Sequence, residues 1–306
     1  MNSHWIRNFA LALAGALLLA ATGAGAAARQ KTYGSPDEAV KDLIAATRSH
    51  DQKAMLAALG PEAKALVYSG DSVADRAAQE RFVKAYDEAN KLDPQGDAKA
   101  VLSVGKDNWP FPIPLVKAGE AWRFDSTQGA EELLNRRIGR NELSAMQAMQ
   151  AYVDAQREYY LLNPMKDRLL QYAQRVGSAK GKRDGLYFPT RAGEPPSPLG
   201  ALFERRAAAG YKNTPDKSSP YFGYRYRILK AQGPDAKGGA YDYVVRGKMI
   251  GGFALVAYPA SYGGSGIMTF IVSHEGVVYQ KDLGPGTSAI ASKMTKFNPD
   301  ASWKRQ

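Results

Sequence analysis

Residues 248–284 constrain the fold more than any other stretch. Phe253, Leu255 and Ala257 alternate there with Ala254, Val256 and Tyr258, until Pro259 ends the run. Met268, Phe270 and Val272 alternate with Thr269, Ile271 and Ser273. Past His274-Glu275-Gly276, Val278 and Gln280 alternate with Val277, Tyr279 and Lys281. Successive side chains of a strand point to opposite faces, so a period of two residues calls for β-structure. Two such runs joined by a short glycine-containing turn read as a hairpin. The first run is apolar on both faces, which places it in the middle of a sheet.

Upstream, the pattern is helical and then extended. Ser35-Pro36-Asp37-Glu38 is a capped helix start, followed by Val40, Leu43 and Ile44 on one side. Asp51 caps a second helix that Gly60-Pro61 ends, and a third helical stretch runs from Asp71 to about Leu92. Ala98 to Val104 reads as a strand. Trp109-Pro110-Phe111-Pro112-Ile113-Pro114 reads as an edge strand or extended segment, because proline cannot donate a ladder bond. A hairpin turns at Ala118-Gly119-Glu120. Helices followed by a meander predict an α+β domain over residues 29–128.

A second domain is expected over residues 129–306. It opens with a short helical face at Leu133, Leu134 and Ile138 that Gly139 breaks. Leu143, Met146, Met149, Tyr152, Val153 and Tyr160 then mark one amphipathic helix to about Leu162. Such a stripe packs on a sheet or lines a ligand site. Residues 165–176 read as a further helix, and a short one carries Leu199, Leu202 and Phe203. Strands follow at 221–230 and 240–245, and Thr287 caps a last helix.

Residues 1–28 are read as a secretory signal peptide. Arg7 precedes an apolar run from Phe9 to Ala21, short against the roughly 20 residues of a membrane span. Small-residue sites at Ala24-Gly25-Ala26 and Ala26-Ala27-Ala28 put the cut between Ala26 and Arg29. The alternative is an uncleaved anchor. The expected location is therefore periplasmic or secreted. The sequence contains no Cys, so disulfides, thiol nucleophiles and cysteine metal sites are excluded. A formal net charge of +11 leaves anionic lipids, cell-wall polymers and nucleic acid as conceivable partners, or simply a solvated surface.

Several segments carry a family resemblance. Glu194-Pro195-Pro196-Ser197-Pro198-Leu199, Gly223-Tyr224-Arg225-Tyr226-Arg227-Ile228-Leu229 and residues 248–284 resemble the bacterial domain-of-unknown-function family 2950. So do residues 109–114 and 131–158, which include Asn135-Arg136-Arg137-Ile138-Gly139-Arg140-Asn141-Glu142. The resemblance spans nearly all of the mature chain. It implies an exported protein and supplies neither an activity nor catalytic residues. By architecture the first domain is similar to nuclear-transport-factor-two-like cone folds. The second is similar to pilin-like domains, on the helix at 142–162 and Gly252-Phe253-Ala254-Leu255-Val256-Ala257-Tyr258-Pro259.

The sequence offers little chemistry. Its three His are His4, His50 and His274, without paired metal-ligand spacing, so no metal site is expected. Gly263-Gly264-Ser265-Gly266-Ile267 misses the nucleophile-elbow pattern at its last residue. Ser103 and Lys106 fall on a strand and its turn, where serine-lysine spacing brings no proximity. No nucleotide or cofactor fingerprint occurs. Asp242, Glu275 and Asp282 come from the sheet region, where convergence would allow acid-base work or Ca²⁺ binding, and ion pairing is the alternative. Tyr224 and Tyr226 share one strand face and Arg225 and Arg227 the other, which argues against a nucleic-acid platform. The expectation is a non-catalytic protein that binds an envelope protein or polymer or assists envelope assembly. The rival is a hydrolase of envelope polymers using acids such as Asp282. The expected binding surface joins Tyr258, Tyr262 and Asp282, with Trp109 and Phe111 as a second exposed aromatic pair.

Overall fold

The computed structural model describes residues 30–211 and 219–306. Residues 1–28, expected from the sequence to be a signal peptide, lie outside them. Helices come first: α1 (Pro36–Arg48), α2 (Gln52–Leu59), a 3-10 turn (Pro61–Ala63), α3 (Lys64–Val67) and α4 (Ser72–Glu88). Strands β1 (Asn90–Pro94), β2 (Lys99–Val104), β3 (Trp109–Pro110), β4 (Leu115–Ala118) and β5 (Ala121–Phe124) follow. Helix α5 (Ala130–Leu162) and, after an irregular stretch, α6 (Gly200–Ala208) lead to β6 (Tyr224–Leu229), β7 (Ala231–Gln232), β8 (Tyr241–Asp242), β9 (Val244–Val245) and β10 (Lys248–Met249). The chain ends with β11 (Ala254–Pro259), β12 (Met268–Ser273), β13 (Val278–Asp282), α7 (Thr287–Ala291), β14 (Lys296–Phe297) and β15 (Lys304–Arg305). Helices segregated from antiparallel sheets make this an α+β fold.

The caps read from the sequence are formed. The Ser35 hydroxyl accepts from the Glu38 amide at 3.2 Å, and the Glu38 carboxylate accepts from the Gly34 amide at 2.9 Å. Asp51 caps α2 through the Ala54 amide, and Asp71 caps α4 through the Ala74 amide. Val40, Leu43 and Ile44 of α1 enter a core shared with Met55, Leu59, Leu102, Leu115 and Phe124. That core lies on the first sheet, ordered β1-β2-β4-β5 with β3 also on β2.

The second sheet has the order β15-β13-β12-β11-β6, antiparallel throughout. Strand β11 is buried along its whole length between β12 and β6, as its two-faced apolar run requires. Helix α5 packs over it. The Tyr152 hydroxyl donates to the Ala254 carbonyl at 3.2 Å, and the Phe253 ring lies between Tyr152 and Tyr172 at 5.6 and 4.8 Å. The amphipathic stripe is thus core, although Leu143 is exposed.

Four expectations need correction. Gly139 does not break the helix: α5 is continuous over 33 residues, about 50 Å at 1.5 Å per residue. A side chain there would meet nothing within 4 Å, so this exposed turn makes no tertiary demand. Residues 165–176 are not helical, because their backbone serves other segments. The Tyr172 amide donates to Met249, and the Tyr187 amide donates to Val176. Strand β1 replaces the end of the third helix; Gly105 donates to the Ala85 and Ala89 carbonyls, finishing α4 early. Thr287 is the first residue of α7 rather than its cap, and its hydroxyl donates to the Gly284 carbonyl.

Helix α5 ties the two sheets together. Ala130 and Leu133 belong to the first core, Ala145 through Tyr159 to the second. Between them Arg137 donates to the Ala65 and Leu66 carbonyls, Asn141 to the Ser265 carbonyl, and Glu142 accepts from the Ile267 and Met268 amides. Among the described residues, no helix is long and apolar enough to cross a membrane.

Candidate functional site

The residues singled out from the sequence are scattered. Phe111 is only 7% exposed, with its ring 5.2 Å from Phe82 and 6.4 Å from Phe124. The extended Trp109–Pro114 segment alternates, turning Phe111 and Ile113 inward. Trp109 is half-buried and packs on the same core, so the pair is not an exposed aromatic surface. Tyr258 is also placed differently from expectation. It lies within β11 rather than in a loop, 8% exposed. Tyr262 and Asp282 do meet, the hydroxyl donating to Oδ2 at 3.2 Å.

Their loop is fastened rather than free. The Ser261 amide donates to the buried Ser265 hydroxyl, which donates back to the Ser261 carbonyl. A Cβ on Gly266 would sit 2.2 Å from the Tyr224 hydroxyl, so only glycine lets this loop close on β6. The three acids are not assembled into one centre. Glu275 pairs with Lys237 at 2.9 Å at one end of β13, and Asp282 holds Tyr262 and the Gly284 amide at the other. Among the described residues, no group of three or more His, Cys, Asp or Glu is arranged to hold a metal ion.

A separate concavity lies elsewhere. A cavity of about 880 Å³ runs between α5, residues 171–177, α6 and β6, and Tyr258 is part of its wall. This falls within the range of ordinary small-ligand sites, roughly 300–1,000 Å³. Its lining combines Tyr152, Leu202, Phe203 and Leu255 with Arg206, Tyr226 and Arg227.

Arg206 dominates the polar end. Its guanidinium lies 5.6 Å from the Phe203 ring centre, 5.4 Å from Tyr211 and 4.9 Å from Tyr221. Aromatic faces stabilise a partly desolvated cation, yet they satisfy none of its N–H donors. Burial lowers the Arg206 pKa, and the nearby Tyr hydroxyls and Asp71 oppose that shift. Burial likewise raises the Tyr226 hydroxyl, which stays a neutral donor. Arg206 Nε, the Tyr226 hydroxyl and Arg227 Nε are all shielded from solvent without a hydrogen-bond partner among the described residues. Most buried polar groups in a folded protein are paired, so unpaired donors on three cavity-lining residues are a departure from the rule.

The family model described as "Protein of unknown function (DUF2950)" matches residues 30–306. The chain belongs to this family. No curated protein and no solved structure gave a match. Two segments through which the sequence resembles the DUF2950 family meet at the cavity: residues 223–229 supply β6, and Leu199 closes one wall. A third, residues 135–142, is the fastening between the sheets. Arg206 was missed because nothing local distinguishes it from Arg205 beside it.

Proposed function

We propose that this chain is an exported, non-catalytic binding protein whose cavity along β6 takes a ligand bearing an anionic group. The carrying observation is that three cavity-lining residues, Arg206, Tyr226 and Arg227, each keep a buried donor without a partner among the described residues. A carboxylate or phosphate oxygen accepts from such donors and gains most where water is excluded. The apolar wall at Leu202, Phe203 and Leu255 fits the body of an organic ligand. Export is supported by the leader pattern at residues 1–28, and the binding role by donors that have no partner among the described residues.

Two experiments test this reading. Tyr226→Phe removes an unsatisfied hydroxyl and keeps the ring. The variant should melt no lower than the native protein while its anion affinity, measured by calorimetry with glutarate and inorganic phosphate, falls about tenfold. Arg206→Met should lose binding more completely. Unchanged affinity in both variants would remove the cavity from consideration. For export, the mass of the periplasmic protein should correspond to a start between Ala26 and Arg29; recovery of the whole chain in the membrane pellet contradicts it.

A further inference from the structure

We infer that the chain leaving α5 and the adjoining β9–β10 turn form a surface that docks on an anionic phospholipid bilayer. This goes beyond the anionic-ligand reading of the cavity and does not rest on it.

Six of the ten large apolar side chains exposed among the described residues fall on two segments. Leu161, Leu162, Met165 and Leu169 are on one, Val245 and Ile250 on the other, and Leu161 is 78% exposed. Single exposed apolar side chains are ordinary, whereas a gathered group marks an interaction surface. The two segments are neighbours. The Tyr160 ring, just ahead of Leu161, lies 4.9 Å from that of Tyr172, whose amide donates to the Met249 carbonyl at 2.8 Å. Lys248 reaches Asp167 at 3.1 Å, and the Gln174 side-chain amide donates to the Gly247 carbonyl at 2.7 Å. Val245 stands opposite Lys248 in the β9–β10 pair, on the face from which Lys248 reaches Asp167.

Charge is interleaved with these apolar groups. Residues 161–169 and 244–250 carry Lys166, Arg168, Arg246 and Lys248 against one acid, Asp167, and Lys248 already engages that acid. Lys166, Arg168 and Arg246 are exposed. Arg246 and Gly247 make the hairpin turn with positive φ at both, 50° and 78°. Such a turn favours Asn, Asp or Gly at its first place, so the arginine at this tip is held against backbone preference. Lys166 likewise has a positive φ, 55°. The mixture selects the partner. In a symmetric dimer a second copy would set these cations against their own kind, and protein interfaces keep their charges at the rim. Here Lys166 and Arg168 stand between Met165 and Leu169 in the chain. A lipid surface takes both together: apolar side chains enter below the headgroups while Lys and Arg beside them meet phosphate oxygens. Met165 also lines the cavity, so the docking surface adjoins it.

The test uses the protein purified from the periplasmic fraction and phosphatidylcholine vesicles with or without about 30% phosphatidylglycerol, separated by sedimentation. The expected result is binding to the anionic vesicles and not to phosphatidylcholine alone. The triple variant Lys166→Glu, Arg168→Glu, Arg246→Glu should weaken it about a hundredfold, from about fivefold per charge. Lys41→Glu, Lys53→Glu, Lys84→Glu makes an equal change of net charge at exposed positions of the first region. That variant should lose less than about tenfold, because charges distant from the bilayer are screened. Leu161→Ser with Leu169→Ser should weaken binding about tenfold at an unchanged melting temperature. Arg206→Met should bind vesicles as the native protein does, which separates this inference from the anion reading of the cavity. Equal losses from the two triple variants would reduce the binding to diffuse charge attraction and overturn the surface. So would native-like binding by the leucine variant, or absence of binding to anionic vesicles. A native dimer that the leucine variant dissolves would make this face a subunit interface and overturn it too.

Discussion

The two sheets solve the same problem with opposite treatment of their edges. In the first, β5 is covered by the chain itself: the Tyr33 amide donates to the Trp122 carbonyl and the Trp122 amide donates back. The other edge, β1, is a polar strand whose Lys91 and Asp93 pair with each other, a surface that discourages further pairing. Inside, the rings of Phe82, Phe111 and Phe124 pack on one another. In the second sheet, β15 closes one end, and the other end, β6, borders a cavity with unsatisfied donors. The first region leaves one buried side-chain oxygen without a hydrogen-bond partner among the described residues, Asp75 Oδ1, 4.0 Å from the Arg137 guanidinium, against three such groups on residues that line the cavity. Departures from full pairing gather where a protein does something else.

The sharpest way to break this contrast is to remove one ring from each region. Phe124 has no exposure at all, and Phe124→Ala should cost about 3–5 kcal/mol in urea denaturation. Phe203 stacks on Tyr187 at 4.0 Å but borders open space, so Phe203→Ala should cost less. Equal costs would mean that the cavity wall is as tightly packed as the first core, and the contrast would fail.

Next in size is the contact between the regions. Asp71 caps α4 in the first and accepts from the Tyr211 hydroxyl and the Gly223 amide of the second, both at 2.8 Å. It is 1% exposed. Asn at this position keeps one acceptor oxygen and turns an N–H₂ towards donors, leaving at least one unpaired. Asp71→Asn should destabilise by about 1–3 kcal/mol. Trp109 and Trp122 report on the first region and Trp303 on the second. The variant's fluorescence transitions should part into two. A single transition would show that α5 alone couples the sheets.

Much of this architecture was legible in the sequence, and the exceptions have physical causes. The runs at β11, β12 and β13 were clear because a period of two leaves no other reading. The caps at Ser35 and Asp51 were clear because capping is local. Strand β1 was hidden, since Asn90-Lys91-Leu92-Asp93-Pro94 has poor strand character and is held extended by pairing with β2 along its whole length. Residues 165–176 misled because their backbone is claimed by partners far along the chain. The Tyr262–Asp282 contact was readable from the hairpin, whereas the cavity was not. Its walls come from α5, α6, β6, β11 and an irregular stretch, and only the folded chain brings them together.

The smallest expected effect concerns pH. His274 sits in the β12–β13 turn, its ring 5.8 Å from Tyr243 and 6.2 Å from Phe253. Its Nδ1 is shielded and has no partner among the described residues. Burial lowers its pKa below the usual 6.5; Glu275 opposes this shift, while Lys237 and Arg157 add to it. The folded state therefore binds this proton less readily than the unfolded chain. Stability from neutral His274 is present above 6.5 and is lost as pH falls through the lowered folded value. Glu275 stays ionised over that range, held low by Lys237. His274→Gln keeps a polar side chain that does not titrate. Between pH 6.5 and about pH 5 its melting temperature should fall less than that of the native protein, by about 1–2 °C. With Asp71 intact the two regions unfold together, so the difference should appear in one transition reported by Trp122 and Trp303 alike. Parallel melting curves for both proteins across that range would mean that the proton on His274 is indifferent to folding.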